Sequence, residues 1–142
     1  MRALLDVNVL IALLDSDHAH HTTASRWLGD HLDGGWASCP ITQNGCIRIL
    51  SQPGYPSPLP AAQVASRLAD AASTPHHEFW PDSVSLLDRK SIDLSRLLGP
   101  RQVTDAYLLA LAVAYKGRLV SFDQSIALAT VKGAEKKHLL VL

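Results

Sequence analysis

Three aspartates are the side chains of this sequence best placed to do chemistry. Asp6 interrupts the apolar run LLDVNVLIALL, Asp105 follows Thr104 in VTDAYLLALA, and Asp123 follows the run RLVSF. A carboxylate buried without a partner is strongly disfavoured, so Asp6 in its apolar surroundings needs one. Two carboxylates about 4 Å apart repel by about 4 kcal/mol at an effective dielectric of about 20. Three that met would have to be protonated or share a cation. A hard divalent ion with oxygen ligands is the economical solution, and Mg²⁺ (or Mn²⁺) suits a few carboxylates completed by waters and phosphate oxygens. Asn8 would then be a neutral group orienting Asp6 or a metal-bound water.

Each aspartate also has a plain structural reading. Asp105 suits a helix amino terminus, with Thr104 as its cap, and Asp123 suits a turn before QSIALA. Asp6 could accept from backbone amides at the start of the helix that follows it.

The elements that must position these residues follow from periodicity and punctuation. RALLDV has strand length, and NVLIALLD continues with helical spacing. HHTTASRWLGDHLDGG puts Ala24, Trp27, Leu28 and Leu32 on one helical face and stops at Gly34-Gly35. WASCP is a short strand ended by Pro40, and ITQNGCIRILSQPG is a helix broken at Pro53-Gly54. YPSPLP is a loop. Pro60 sits at the first turn of the helix AAQVASRLADAAS. HHEFW is a third short strand, GPRQVTDAYLLALAVAYKG a long helix closed by Gly117, RLVSF a strand and HLLVL a last one. Strands alternating with helices predict a single α/β domain over residues 1–142, an α/β/α sandwich around a mostly parallel sheet of four to five strands.

In such a sheet, reactive groups collect beyond the carboxyl ends of the strands. A helix over residues 105–116 descends about 18 Å at about 1.5 Å per residue. A strand over residues 118–122 climbs back about 17 Å at about 3.3 Å per residue. Asp123 therefore returns to the edge where Asp105 began, and the same right-handed parallel topology brings Asp6 there.

Bulk composition narrows the classes. The chain has 142 residues, 47% of them apolar and 18% charged, which is a globular composition with enough length for a core. Thirteen basic and thirteen acidic residues balance, which argues against nucleic-acid binding through overall charge and leaves room for a local basic groove. Cys39 and Cys46 are too few for a disulfide framework or a four-ligand zinc site, and read as buried thiols in a reducing compartment. Asp6, Asn8 and Asp15 break the apolar amino terminus, and no run approaches the roughly 20 apolar residues of a membrane span. The expected location is the cytoplasm, with no membrane partner.

LLDVNVLIALL, ITQNGCIRILS, VTDAYLLALA and LVSFDQS together resemble, in order and spacing, the motifs of PIN-domain ribonucleases. HEFWPD and GPRQVTDAYLLALA extend the likeness across nearly the whole chain, and it looks nearest to the VapC toxins of bacterial toxin–antitoxin pairs. The resemblance implies a PIN-like α/β/α sandwich and Mg²⁺-dependent endoribonuclease activity that leaves a 5′-phosphate and a 3′-hydroxyl. It implies restraint by a cognate VapB-like antitoxin, and a homodimer. Carried over by position, Asp6, Asp105 and Asp123 would be the catalytic and metal-binding acids, with Asn8, Thr104 and Ser121 as polar support. One element departs from the pattern. The family commonly carries a glutamate in the helix after the second strand, where this chain reads Thr42-Gln43-Asn44-Gly45. Gln43 or Asn44 could still hold a metal-bound water, with weaker metal affinity or one firmly held ion instead of two.

Other residues carry weaker signals. His18, His20 and His21 read as a polar loop and helix start, and His76 and His77 as solvated. Arg48 or Arg101 could face a phosphate at the rim of the acids. Lys116, Lys132, Lys136 and Lys137 offer a modest basic surface. Trp27 and Trp80 read as core or, where exposed, as part of a groove for an antitoxin helix or a second copy. A haloacid-dehalogenase-type phosphatase would need an Asp-x-Asp-x-Thr/Val strand end, but Asp6-Val7-Asn8 lacks the second acid. A silent PIN-fold module that binds RNA or protein without cutting remains the alternative, because of the missing glutamate.

Overall fold

The computed structural model describes all 142 residues, Met1–Leu142. Its centre is one five-stranded sheet built from β1 (Ala3–Leu5), β2 (Trp36–Ser38), β3 (His77–Phe79), β4 (Arg118–Ser121) and β5 (Leu139–Val141), in the spatial order β3-β2-β1-β4-β5. Every pairing is parallel, with Ala3 opposite Trp36 and Arg118, Ser38 opposite Phe79, and Ser121 opposite Val141. β1 is the central strand, so its carboxyl end opens onto the middle of the sheet edge.

Five helices cover the sheet: α1 (Val7–Leu14), α2 (His21–His31), α3 (Pro40–Leu50), α4 (Ala61–Ala72) and α5 (Val103–Ala114). Strand side chains alternate between faces, and the core divides accordingly. Leu4, Ala37 and Leu119 point toward α5, whose Leu108, Leu109 and Leu111 are fully buried with Trp80, Ile92 and Val131. Ala3, Leu5, Trp36 and Val120 point to the other face, against Val9 to Ala12 of α1, Cys46 and Leu50 of α3, and Val64 and Leu68 of α4. α5 is buried from Ala106 through Ala112, as expected of a helix that is apolar all round.

Local chemistry sets the helix ends nearest the functional edge. α1 begins at Asp6, whose Oδ1 accepts from the Val7 amide at 2.7 Å. α3 begins at Cys39-Pro40, with the Cys39 amide donating to Thr42 Oγ1 at 3.0 Å and Pro40 supplying a first turn that needs no donor. α5 follows a short turn over Pro100–Gln102, and its cap position is Gln102. Thr104 is therefore not a cap, and Asp105 lies inside the first turn.

The end of α5 also differs in detail from the expectation. The residue in the left-handed region there is Lys116, at φ 56°, and not Gly117. Gly117 instead lets chains approach: a Cβ on it would lie 2.6 Å from the Arg2 carbonyl oxygen and 2.7 Å from the Trp80 ring. Trp80 is core, stacked on Tyr115 with ring centres 4.6 Å apart, whereas Trp27 is half-buried and stacks on His31.

Candidate active site

The carboxyl ends of β1 and β4 and the amino-terminal turn of α5 meet at one edge, and they bring Asp6, Asp123 and Asp105 together. Asp6 is 7% exposed. Besides the Val7 amide on Oδ1, its Oδ2 accepts from the buried Ser121 hydroxyl at 2.6 Å. The oxygen of that hydroxyl accepts in turn from the Asp123 amide at 3.0 Å. Asp123 Oδ1 takes two bonds from Ser125, one from its amide at 2.7 Å and one from its hydroxyl at 2.6 Å. The cap reading of Asp6 and the turn reading of Asp123 are thus both realised, at residues that also share one edge.

Burial and mutual charge act on these carboxyls. Burial pushes the Asp105 carboxyl up to about 6, and the negative charges of Asp6 and Asp123 push in the same direction. Burial also raises Asp6, opposed by the Ser121 and Val7 hydrogen bonds and reinforced by the charge of Asp123. Asp123 is held low mainly by its Ser125 bonds, and the nearby Asp105 carboxyl acts in the same direction. Carboxylates whose environments drive their pKa values apart in this way are candidates for a functional site.

The donor set fits a hard divalent cation: three carboxyls with free lone pairs, and a repulsion that such a cation would reverse. As they stand, the acids are not drawn into a closed ligand set, and no group of three or more His, Cys, Asp or Glu side chains in the structure is so arranged.

Beside the acids lies an open cleft of about 500 Å³, lined by Asp6, Asn8, Ile41, Asn44, Arg48 and Thr104 among others. Asn8 is exposed in it. Both Asp6 oxygens are held by Val7 and Ser121, so Ser121, and not Asn8, orients Asp6. On α3, Asn44 faces the cleft, whereas Gln43 directs its amide nitrogen to Ser38 Oγ at 2.9 Å. Arg48 lines the cleft and Arg101 does not. His77 is not solvated. It is half-buried, lies 2.8 Å from Ser38 Oγ through Nε2, and packs against the Trp36 ring.

The sequence matches the family model for the PIN domain over residues 3–132. The chain belongs to the PIN-domain family. Within it, the relatives are of the VapC type. Ribonuclease VapC44 of Mycobacterium tuberculosis (strain CDC 1551 / Oshkosh) is 61% identical over 142 residues, covering all of both chains. Ribonuclease VapC39 of the same strain is 46% identical over 129 residues, covering 89% of this chain and 92% of its own. The fold of this VapC-type PIN domain also resembles the crystal structure of VapBC2 from Rickettsia felis bound to a promoter DNA fragment. The TM-score is 0.57 at 16% identity, covering 87% of this chain and 89% of the other.

Among the residues expected from sequence, Asp6, Asp105, Asp123, Ser121, Asn8 and Thr104 reach this edge or its cleft. The role of Ser125 was missed, although a hydroxyl two residues after an aspartate is a recurrent turn signal.

Proposed function

We propose that this VapC-type PIN domain, acting as one domain over residues 1–142, is the endoribonuclease toxin of a toxin–antitoxin pair. Asp6, Asp105 and Asp123 would hold Mg²⁺ or Mn²⁺ and carry catalysis. The observation behind this reading is the mutual charge of the three acids at the carboxyl edge of a parallel sheet, with the Asp105 carboxyl raised to about 6. A divalent ion bound there would polarise a phosphodiester and lower the pKa of a bound water. The protein's own part is positional. Ser121 fixes Asp6, Ser125 fixes Asp123, and the first turn of α5 presents Asp105 to both.

Activity is tested with purified, partner-free protein and total RNA, in Mg²⁺ or in EDTA. Cleavage in Mg²⁺ alone is expected, lost in Asp6→Ala and Asp105→Ala. No cleavage, or cleavage unchanged in both variants, overturns the reading in favour of the silent binding module. One observation favours that second reading: α3 presents Asn44 and Arg48 to the cleft, and no carboxylate.

The names of the relatives support RNA as the substrate. The VapBC2 complex is the precedent for a VapB-like antitoxin as the partner, and the cytoplasm is the location that goes with this reading. Two copies are the default assembly for such a chain. Co-expression with the adjacent small reading frame should relieve growth arrest, and light scattering should give twice the chain mass. Absence of rescue removes the partner, and a monomer removes the dimer.

A further inference from the structure

We infer that Gln102 is a positioning residue: its side chain ties the turn carrying Asp123 to the start of α5, and so sets the spacing of Asp105 and Asp123. The inference deepens the nuclease reading and rests on it for its kinetic consequence.

Gln102 stands at the cap position of α5, three residues before Asp105. Residues at that separation are neighbours on a helix surface, and the two line one small recess with Leu97, Ile126 and Thr130. The backbone of Gln102 is fixed by the turn that begins at Pro100, where its amide donates to the Gly99 carbonyl at 3.1 Å. From this anchored base the side chain reaches across the edge. Gln102 Nε2 donates to the Ser125 carbonyl at 3.2 Å, joining residues 23 positions apart. Ser125 is the residue whose amide and hydroxyl hold Asp123 Oδ1. A neutral strut therefore runs from the helix that presents Asp105 to the turn that presents Asp123.

The strut opposes a force. Asp105 and Asp123 carry like charge when both are ionised, and their repulsion pushes the helix and the turn apart. An amide bonded to a carbonyl resists that push whatever the state of the acids, because neither partner titrates. Metal affinity follows from the spacing, since groups that orient metal ligands govern how tightly a metal is held.

The other end of the same amide shows that more than packing is at work. Gln102 Oε1 is buried and has no hydrogen-bond partner, a condition shared in this structure only by Arg118 Nε. Exchanging the two ends of the amide does not help, since it would set an oxygen against the Ser125 carbonyl. A buried acceptor without a donor is costly. A methionine of similar shape would suit the recess better if filling space were all that it required. The unpaired oxygen comes with the Nε2 donor, and the donor is what the edge uses.

The test compares wild type with Gln102→Met and Gln102→Ala in the full chain. In the metal-free protein, amide exchange at Asp123 and Ser125, followed by NMR, should quicken about tenfold in both variants, as a local opening. The Tm of Gln102→Met should equal or exceed that of wild type, because the unpaired oxygen is lost together with the bond. Mn²⁺ affinity, read by electron paramagnetic resonance without RNA, should fall about tenfold. In cleavage assays kcat should fall about tenfold with KM little changed. Wild-type exchange rates in Gln102→Met overturn the strut, and a defect confined to Gln102→Ala overturns it in favour of packing. Faster exchange with wild-type Mn²⁺ affinity and kcat overturns the positioning role. Faster exchange in the variants of a chain whose wild type neither binds Mn²⁺ nor cuts RNA supports the strut and sinks the nuclease reading alone.

Discussion

The Ser121 hydroxyl donates to Asp6 Oδ2 at 2.6 Å, joining residues 115 positions apart in the chain. The same oxygen accepts from the Asp123 amide, so one fully buried hydroxyl ties two of the three acids to the strand ends. Ser121→Ala leaves a buried carboxylate short of a donor, at a cost of about 1–3 kcal/mol. The expected outcome is a lower Tm and kcat reduced about tenfold or more with KM nearly unchanged, a loss typical of a misplaced catalytic group. Thermal denaturation and steady-state kinetics check it, and a variant with wild-type kcat removes the positioning role.

Burial first, and then the charges of Asp6 and Asp123, oppose ionisation of Asp105. Its folded carboxyl titrates near 6, above the ordinary 3.8. The resulting penalty is therefore fully present above about pH 6 and is relieved as pH falls toward 4. Asp105→Asn should raise the Tm of the metal-free chain by a few degrees at pH 7.5, discounting for the half-exposed carboxyl. The gain should shrink near pH 4.5, and cleavage should be lost throughout. An equal gain at both pH values counts against the ionised Asp105 carboxylate as its cause.

His77 provides a pH dependence of opposite sign. Burial holds its imidazole below the usual 6.5, and the nearby Arg2 charge acts in the same direction. The neutral ring is favoured in the folded state, so its contribution is present above pH 6.5 and declines as pH falls below it. Between pH 7.5 and 5.5, His77→Gln should lose less Tm than wild type. Parallel losses in the two proteins would show that His77 does not titrate in that window.

The contact between α1 and α3 is tested at Gly45, where an added Cβ meets Val7 Cγ2 at 2.7 Å. Gly45→Ala should destabilise the chain by about 1–3 kcal/mol through overpacking. Val7→Ala in the same chain should return much of that loss. Denaturant midpoints measure both, and additive losses would place the strain elsewhere.

Most of the architecture is legible in the order of apolar runs and breakers. Every strand and helix predicted from the sequence is present, because each apolar run has a single period and ends at Gly, Pro or a polar turn. The sheet resolves to five strands, all parallel. The acids are legible because helix rise and strand rise nearly cancel between Asp105 and Asp123, which a one-dimensional estimate captures. Side-chain direction was not. Gln43 and Asn44 are adjacent in sequence, yet Gln43 turns to Ser38 while Asn44 faces the cleft. Only the rotation of α3 about its axis separates them. The cover of His77 is hidden from the sequence for a similar reason: it comes from Trp36 and Ser38 of the neighbouring strand, some forty positions earlier.

The central position of β1 also bears on synthesis. Asp6 is made 115 residues before Ser121, the last residue of β4, the strand that completes its surroundings, and Asp123 follows that strand. A ribosome-bound fragment that stops short of residue 121 holds at most two of the acids and lacks the hydroxyl that fixes the first. The fold thereby delays assembly of the whole acidic edge until β4 and Asp123 have been made.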